Sequence, residues 1–137
     1  MPPSLKDLSV LVVENEFLLA INLEATMRDA GASKVEMAAS LADAERLVEE
    51  STFDAAILDI RLMDGDSLPL AQRLIKKGVP VVIHSGHANH AHTALVPEAV
   101  FLPKPSTPTE IVRSVLRARG VGGAFDLPEV AIKESAQ

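Results

Sequence analysis

Four short apolar runs divide the chain, and each of them stops on a polar residue. The central run, Ala55–Leu58, stops on Asp59. The other three stop on Glu14 and Asn15 (after residues 8–13), on Ser85 (after residues 79–84) and on Lys104 (after residues 99–103). Apolar runs of this length are typical of strands buried on both faces of a parallel sheet. Because the carboxyl ends of such strands border the ligand crevice of open α/β sheets, we predict that these polar residues converge around Asp59.

The segments between these runs space their apolar residues as amphipathic helices do. Asn15 is predicted to cap the first helix, with Glu16 in its first turn and Gly31 at its end. Residues 34–38 form a weaker strand, expected at an edge of the sheet. Ser40 is predicted to cap the second helix. The remaining predicted elements are a loop over residues 62–67, a helix over 68–77 closed by Gly78, a short helix over 87–96 closed by Pro97, a strand over 100–102, and a helix from Thr107 or Thr109 through about Arg119.

Five alternations of strand and helix predict an α/β domain, a parallel sheet with helices on both faces. We expect the domain to cover residues 1–123, with its core at about 5–119. Residues 124–137 form a C-terminal tail. Its apolar residues are numerous enough for the tail to dock on the domain or on a partner, and disorder is the equal alternative.

Composition narrows the classes of function. The chain has 137 residues, no Cys and a net charge of −6. Disulfides, thiolate metal sites and cysteine catalysis are therefore excluded, and a basic surface for non-specific nucleic-acid binding is not expected. The start of the chain lacks the layout of a secretory signal, and no apolar run approaches a membrane span. We expect a soluble cytoplasmic protein with no membrane association.

Four segments together resemble the receiver domain of two-component response regulators, in the single-domain form. They are Val12-Val13-Glu14-Asn15-Glu16, Leu58-Asp59, Ser85-Gly86 and Phe101-Leu102-Pro103-Lys104-Pro105. The resemblance covers about residues 5–119 and keeps the order and near-spacing of the family, which is more specific than any one fragment. It implies the flavodoxin-like (βα)5 fold, a doubly wound five-stranded parallel sheet with strand order 2-1-3-4-5.

The resemblance also implies a role for each matching residue. Asp59 corresponds to the phosphoacceptor, and the hydroxyl of Ser85 and the ammonium of Lys104 correspond to the groups that bind the phosphoryl oxygens. Phe101 corresponds to the switch aromatic. The implied Mg²⁺ ligands are Glu14, Asn15, Asp59 and the backbone carbonyl of Arg61.

The implied function is a phosphorelay receiver that catalyses only its own phosphorylation and dephosphorylation, and is otherwise not an enzyme. Its donor would be a histidine kinase or a histidine phosphotransfer protein. Its output would be contact with a downstream protein, or a homodimer through the fourth helix, fifth strand and fifth helix. A cation and an ammonium are needed because the carboxylate would otherwise repel the incoming anionic phosphoryl group.

Two positions depart from the pattern of the family, and two others adjoin its matching residues. Asn15 replaces the usual second acid, and its amide oxygen brings no charge, so we expect weaker Mg²⁺ binding. Met63 stands where the family often has Pro, which affects the geometry of the loop. Arg61 and His87 border the approach of water and are expected to tune the phosphoryl lifetime.

Several residues have simpler interpretations. Asn15 can serve as a helix cap, Lys104 as an exposed turn residue and Phe101 as part of the core. The histidine-rich tract of His84, His87, His90 and His92 can bind metal, but without Cys or an obvious carboxylate partner an exposed, pH-sensitive helix is the favoured interpretation.

Three other functions compete with the phosphorylated receiver. Asn15 favours a degenerate receiver that serves as a phosphorylation-independent interaction module. An aspartyl phosphatase on a related sheet would carry a second acid two residues beyond the nucleophile, where this chain has Arg61. A Glu14–Asp59 acid–base pair for hydrolysis lacks an evident substrate pocket.

Overall fold

The computed structural model describes residues 3–86 and 90–120. The strands, in chain order, are β1 (Ser9–Val13), β2 (Lys34–Ala38), β3 (Ala55–Leu58), β4 (Arg61–Leu62), β5 (Gly65–Asp66), β6 (Val81–Ser85) and β7 (Val100–Pro103). The helices are α1 (Phe17–Asp29), α2 (Leu41–Glu50), α3 (Leu68–Lys76), α4 (His90–Leu95) and α5 (Pro108–Ala118).

Five of the strands form one parallel sheet in the order β2-β1-β3-β6-β7. Counted along the sheet strands alone, this is the predicted order 2-1-3-4-5, so the fold-class prediction is confirmed. The predicted weaker strand, β2, lies at an edge. β1 and β3 are neighbours, and the chain crosses over from one side of this pair to the other, which is where such sheets open a crevice at their carboxyl ends.

The central strand β3 is buried on both faces, as its unbroken apolar run predicted. Successive strand side chains point to opposite faces of a sheet. Ala56 and Leu58 accordingly belong to a core cluster shared with α2 and α3, whereas Ala55 and Ile57 belong to a second cluster shared with α1 and α5. Helices cover both faces, and the strand ends remain available for polar chemistry.

The predicted cap at Ser40 is confirmed, and of the two predicted starts of the last helix the structure selects Thr107. The Ser40 hydroxyl accepts a hydrogen bond from the Asp43 N–H at 3.1 Å. Thr107 caps α5 in a capping box, in which its hydroxyl accepts from the Glu110 N–H and the Glu110 carboxylate accepts from the Thr107 N–H. Gly78, with φ +85°, follows α3 as predicted.

The predicted cap of α1 is wrong. Glu16, not Asn15, occupies the N-cap position, and its side chain makes no capping hydrogen bond. The Glu16 N–H instead donates to Oε2 of Glu14 at 3.1 Å, so the buried Glu14 carboxylate satisfies a backbone group at the start of this helix. This bond reaches the N–H of the N-cap residue itself, whereas a capping side chain would accept from the N–H two or three positions further into the helix.

The segment predicted as a loop over residues 62–67 contains a small hairpin. Arg61 pairs with Asp66 and Leu62 with Gly65, leaving Met63 and Asp64 in the turn. Gly65 has φ +148°, a conformation that glycine adopts without the steric cost of a Cβ. The pattern missed this hairpin because two residue pairs are too short for an alternation of apolar and polar positions.

Two predicted segments are described only in part or not at all. The helix predicted over residues 87–96 is seen as α4 from His90 to Leu95, and residues 87–89 lie outside the described residues. The predicted tail, 124–137, lies outside them as well. Among the described helices, none has the length and apolar character needed to cross a lipid bilayer.

Candidate functional site

Three charged side chains meet at the carboxyl edge of the sheet. Nζ of Lys104 lies 2.7 Å from Oε1 of Glu14 and 3.0 Å from Oδ2 of Asp59. The three side chains come from the ends of β1, β3 and β7, which are far apart in sequence. The predicted convergence of Glu14 and Lys104 on Asp59 is therefore seen directly in the hydrogen bonds of the site.

Backbone pairing explains why these ends coincide. The Glu14 N–H donates to the Ala38 carbonyl at 3.0 Å, and the Asp59 N–H donates to the Val13 carbonyl at 2.9 Å. The Lys104 N–H donates to the Ser85 carbonyl at 3.2 Å. Each of these residues thus extends the ladder of its strand by one bond, so the sheet fixes its backbone independently of the side-chain contacts.

Burial makes this cluster electrostatically strong. Glu14 is only 2% exposed, and burial raises the pKa of its carboxyl above the usual value although Lys104 and the Glu16 N–H oppose that shift. Burial alone would lower the pKa of Lys104, but hydrogen bonds to Glu14 and Asp59 outweigh it and raise that pKa. The ammonium is therefore charged at neutral pH, and with both carboxylates ionised the cluster carries one net negative charge.

Two switch candidates lie on adjacent strands. Ser85 is the last residue of β6 and is 2% exposed, and its strand partner is Pro103, directly before Lys104. Phe101 pairs with Ile83 and is 4% exposed, inside the core cluster that contains Leu58. The burial of Phe101 is compatible with its predicted switch role and equally with a purely structural one.

The predicted metal ligands Asn15 and Arg61 occupy the rim. Both residues are exposed; Asn15 follows the buried Glu14, and Arg61 begins β4 two residues after Asp59. The hydrogen bonds of the cluster join Glu14, Asp59 and Lys104, and Asn15 and Arg61 take no part in them.

A residue that sequence reasoning missed, Ser67, holds the backbone of Asp59. The Ser67 hydroxyl donates to the Asp59 carbonyl at 2.5 Å, and the Ser67 N–H donates to the Ile60 carbonyl at 2.9 Å. Ser67 is completely buried, so these bonds close the loop that follows Asp59. The sequence predicts Ser67 as the last residue of a loop, and its position directly before a helix is the one signal of a structural role.

The interpretation of His84 as part of an exposed helix is wrong. His84 lies in β6 and is 4% exposed, and burial, reinforced by the charge of Lys104, lowers its pKa to about 4. The ring is therefore neutral at physiological pH. Neither ring nitrogen has a hydrogen-bond partner among the described residues. His87 and the side chain of His90 lie outside the described residues, and in the rest of the described chain no group of three or more His, Asp or Glu could hold a metal ion.

The oxygen atoms at this edge are suitable ligands for a hard divalent cation. Two carboxylates bring less negative charge to such a site than three would. Lys104 and the Glu16 N–H engage both oxygens of Glu14 and Oδ2 of Asp59. Oδ1 of Asp59 has no hydrogen bond from any described group. Mg²⁺ takes oxygen ligands and keeps several waters, so two carboxylates with an amide or carbonyl oxygen form an adequate set. The donor chemistry therefore fits Mg²⁺.

Comparisons with known proteins agree with this architecture. A model of the response regulator receiver domain matches residues 10–116. The Phyllosphere-induced regulator PhyR of Methylorubrum extorquens is 32% identical over 113 residues, which cover 80% of this chain and 42% of PhyR. The chain thus spans less than half the length of that curated relative.

Solved structures give the same picture. A response regulator receiver protein from Sinorhizobium medicae WSM419 has 31% identity and a TM-score of 0.73, covering 85% of this chain and 98% of its own. SdrG from Sphingomonas melonis Fr1 has 28% identity and a TM-score of 0.68, covering 84% of this chain and 98% of its own.

Proposed function

The chain belongs to the response regulator receiver domain family, and from that premise we propose that it accepts a phosphoryl group on Asp59 in a Mg²⁺-dependent reaction. The observation that carries the proposal is the Lys104 ammonium bonded to both Glu14 and Asp59. A lysine held beside an aspartate at this depth can neutralise an anion that arrives at that aspartate.

The proposed step is nucleophilic attack by an Asp59 carboxylate oxygen on phosphorus. The phosphorus–nitrogen bond of a phosphohistidine donor breaks, its electron pair stays on the donor imidazole, and an acyl phosphate forms on Asp59. Glu14, Asn15, Asp59 and the Arg61 carbonyl would hold Mg²⁺. The bound cation would supply positive charge that offsets the negative charge of the phosphoryl group during transfer. Lys104 supplies an ammonium for the same charge, and most of the catalysis is positioning and electrostatics.

After transfer, the acyl phosphate adds negative charge next to Ser85 and Lys104. In the proposed mechanism the Ser85 hydroxyl donates to a phosphoryl oxygen, and Phe101 shifts toward the space that Ser85 leaves. Both residues lie on strands that contact α5, and α4 joins these two strands along the chain, so the proposed output face is built from α4, β7 and α5. A downstream protein or a second copy of the chain would read that face.

The start of α1 supports a protein as phosphodonor. This helix begins three residues after Glu14, and its first residues, Phe17 and Leu18, are 72% and 73% exposed. Exposed apolar side chains that adjoin a reactive site favour docking of a protein partner. We propose a histidine kinase or a histidine phosphotransfer protein as that partner.

One observation favours a second candidate, a receiver that acts as an interaction module without phosphorylation. Asn15 leaves the site with two carboxylates, and Lys104 is already bonded to both. If a cation cannot compete with Lys104 for these two carboxylates, Asp59 stays unphosphorylated. The domain would then act only through contacts of its surface with other proteins.

Beryllofluoride, a stable mimic of the phosphoryl group, separates the two candidates. We expect titration with beryllofluoride and Mg²⁺ to change the amide NMR signals of residues around Asp59, Ser85 and Lys104 in the wild type. Asp59→Asn, which keeps the size of the side chain and removes the nucleophile, should show no such change. A wild-type spectrum that does not respond at millimolar Mg²⁺ would select the interaction module.

A further inference from the structure

The tip of the β4–β5 hairpin is bonded to the start of α2. Oδ1 of Asp64 accepts a hydrogen bond from the Leu41 N–H at 2.8 Å, and Oδ2 accepts from the Ala42 N–H at 3.0 Å. The first N–H groups of a helix have no partner within the helix, so a carboxylate placed there is favourable. These two bonds lower the pKa of Asp64, which keeps the capping carboxylate ionised.

The same helix has a second, independent cap. The Ser40 hydroxyl accepts from the Asp43 N–H at 3.1 Å and belongs to the segment between β2 and α2. The two caps differ in what else they touch. Ser40 is local to the helix, whereas Asp64 belongs to the segment that follows the acceptor.

The hairpin connects Asp64 to the reactive aspartate over a short path. Arg61 follows Asp59 by two residues and pairs with Asp66 across the hairpin. Gly65 separates Asp66 from Asp64. A Cβ at Gly65 would lie 3.1 Å from Cδ2 of Leu41, so the hairpin packs closely on the first residue of α2. At its base, Ser67 bonds to the Asp59 carbonyl. The segment is closed at its base and fixed at its tip.

The hairpin needs this attachment at its tip. A two-stranded hairpin is marginally stable in water, and this one has two residue pairs. Met63 in the turn is 90% exposed and contributes little burial. The hydrogen bonds of Asp64 therefore hold the turn against α2 and restrict the backbone that carries Arg61.

We propose that Asp64 is a positioning residue for the acceptor site. By capping α2 it fixes the hairpin and the Arg61 carbonyl, and so it sets the affinity of the site for a divalent cation. Coupling between sites is reciprocal, so a cation bound beside Asp59 must in turn tighten the attachment of the hairpin to α2. The inference rests on the proposed function, because it assumes a cation site that includes Arg61.

The test compares Asp64→Ala with the matched control Ser40→Ala in the full chain. Both variants remove a cap from the first turn of α2, but only the first releases the hairpin. Binding of Mg²⁺ is measured by NMR titration, and hydrogen exchange is measured at the amides of Leu41 and Ala42. We expect Asp64→Ala to weaken Mg²⁺ binding about threefold to tenfold, within the range of couplings between linked sites, and Ser40→Ala to change it less than about twofold.

Asp64→Asn gives a second, conservative variant. Its amide keeps one oxygen acceptor, so its Mg²⁺ affinity should lie between those of the wild type and Asp64→Ala. In the wild type, saturating Mg²⁺ should slow exchange at Leu41 and Ala42, and this effect should disappear in Asp64→Ala.

Three results would overturn the inference. Wild-type affinity in an Asp64→Ala variant with fast exchange at Leu41 and Ala42 would show that the hairpin attachment does not reach the site. Equal weakening in Ser40→Ala would show that general loosening of α2 is responsible. A wild-type chain that binds no Mg²⁺ would overturn the proposed function together with this inference, whereas the first two results leave the proposed function intact.

Discussion

Replacing Lys104 by Met tests whether the ammonium is the group that makes two buried carboxylates tolerable. Methionine keeps an unbranched apolar stem and removes only the charge and the hydrogen bonds. The exposed fractions of the three side chains are 18% for Lys104, 1% for Glu14 and 12% for Asp59. Removing one partner of a buried ion pair commonly destabilises a protein by about 3–5 kcal/mol, because the remaining charge loses both water and its partner.

The chain can limit this cost by protonating Glu14. Its ordinary pKa is 4.5, and each pH unit above that value makes protonation cost about 1.4 kcal/mol more. The limit is thus about 4 kcal/mol at pH 7.5 and about 1.4 kcal/mol at pH 5.5. When the pKa of a carboxyl is higher in the folded state than in the unfolded state, the free energy of unfolding falls as the pH rises. Lys104→Met should therefore be strongly destabilised at pH 7.5 and only mildly at pH 5.5.

The assay is urea unfolding followed by circular dichroism, since the chain has no Trp or Tyr to report by fluorescence. Glu14→Gln provides the matched background: with the charge of the more buried carboxylate already removed, Lys104→Met should cost less at pH 7.5 than it does in the wild type, because only the more exposed Asp59 then loses its partner. A loss of stability in Lys104→Met that is the same at pH 5.5 and pH 7.5 would refute the electrostatic explanation.

Three further predictions concern stability. His84→Leu should remove a destabilisation that appears at low pH, because the pKa of His84 falls from 6.5 to about 4 on folding and the unfolded chain therefore binds the proton first. Urea unfolding at each pH should show that the wild type loses about 3 kcal/mol of stability relative to the variant as the pH falls from 7 to 4. Parallel pH profiles of the two proteins would contradict this. Thr107→Ala should lower the free energy of unfolding by about 1 kcal/mol through loss of the α5 cap, whereas the neighbouring exposed Thr109→Ala should change it by less than about 0.5 kcal/mol. Gly31→Ala should lower the melting temperature more than Gly78→Ala, since both glycines have positive φ but only at Gly31 would a Cβ lie 3.2 Å from the Lys6 backbone; equal losses would show that φ alone decides.

The sheet could be predicted from the sequence because its strands are continuous apolar runs buried on both faces. Asp59 and Lys104 were found for the same reason, since strand ends in a parallel sheet share an edge. The burial pattern of α1 was harder to predict. Phe17 and Leu18 are apolar yet exposed, and the buried face is formed by Ala20, Leu23 and Met27. A helix with apolar residues around much of its circumference does not reveal from sequence which side meets the sheet.

The contacts made by polar side chains over long sequence separations could not be predicted. Asp64 bonds to residues 22 and 23 positions earlier, and no local pattern indicates such a partner. His84 was grouped with nearby histidines by spacing, but its position in β6 buries it. Ser67 was predicted in a loop, but its hydroxyl donates a hydrogen bond to the Asp59 carbonyl. In each case tertiary packing, not local propensity, decides the environment.

The central claim is that Asp59 is a phosphoacceptor, and direct chemical mapping tests it most plainly. The full chain is incubated with acetyl phosphate and Mg²⁺, reduced with borohydride to convert an acyl phosphate into a stable alcohol, digested and sequenced by mass spectrometry. The account predicts conversion at Asp59 in the wild type, its loss when Mg²⁺ is chelated, and none in Asp59→Asn. Conversion at another carboxylate with Asp59 unmodified, or none in the wild type, would contradict it.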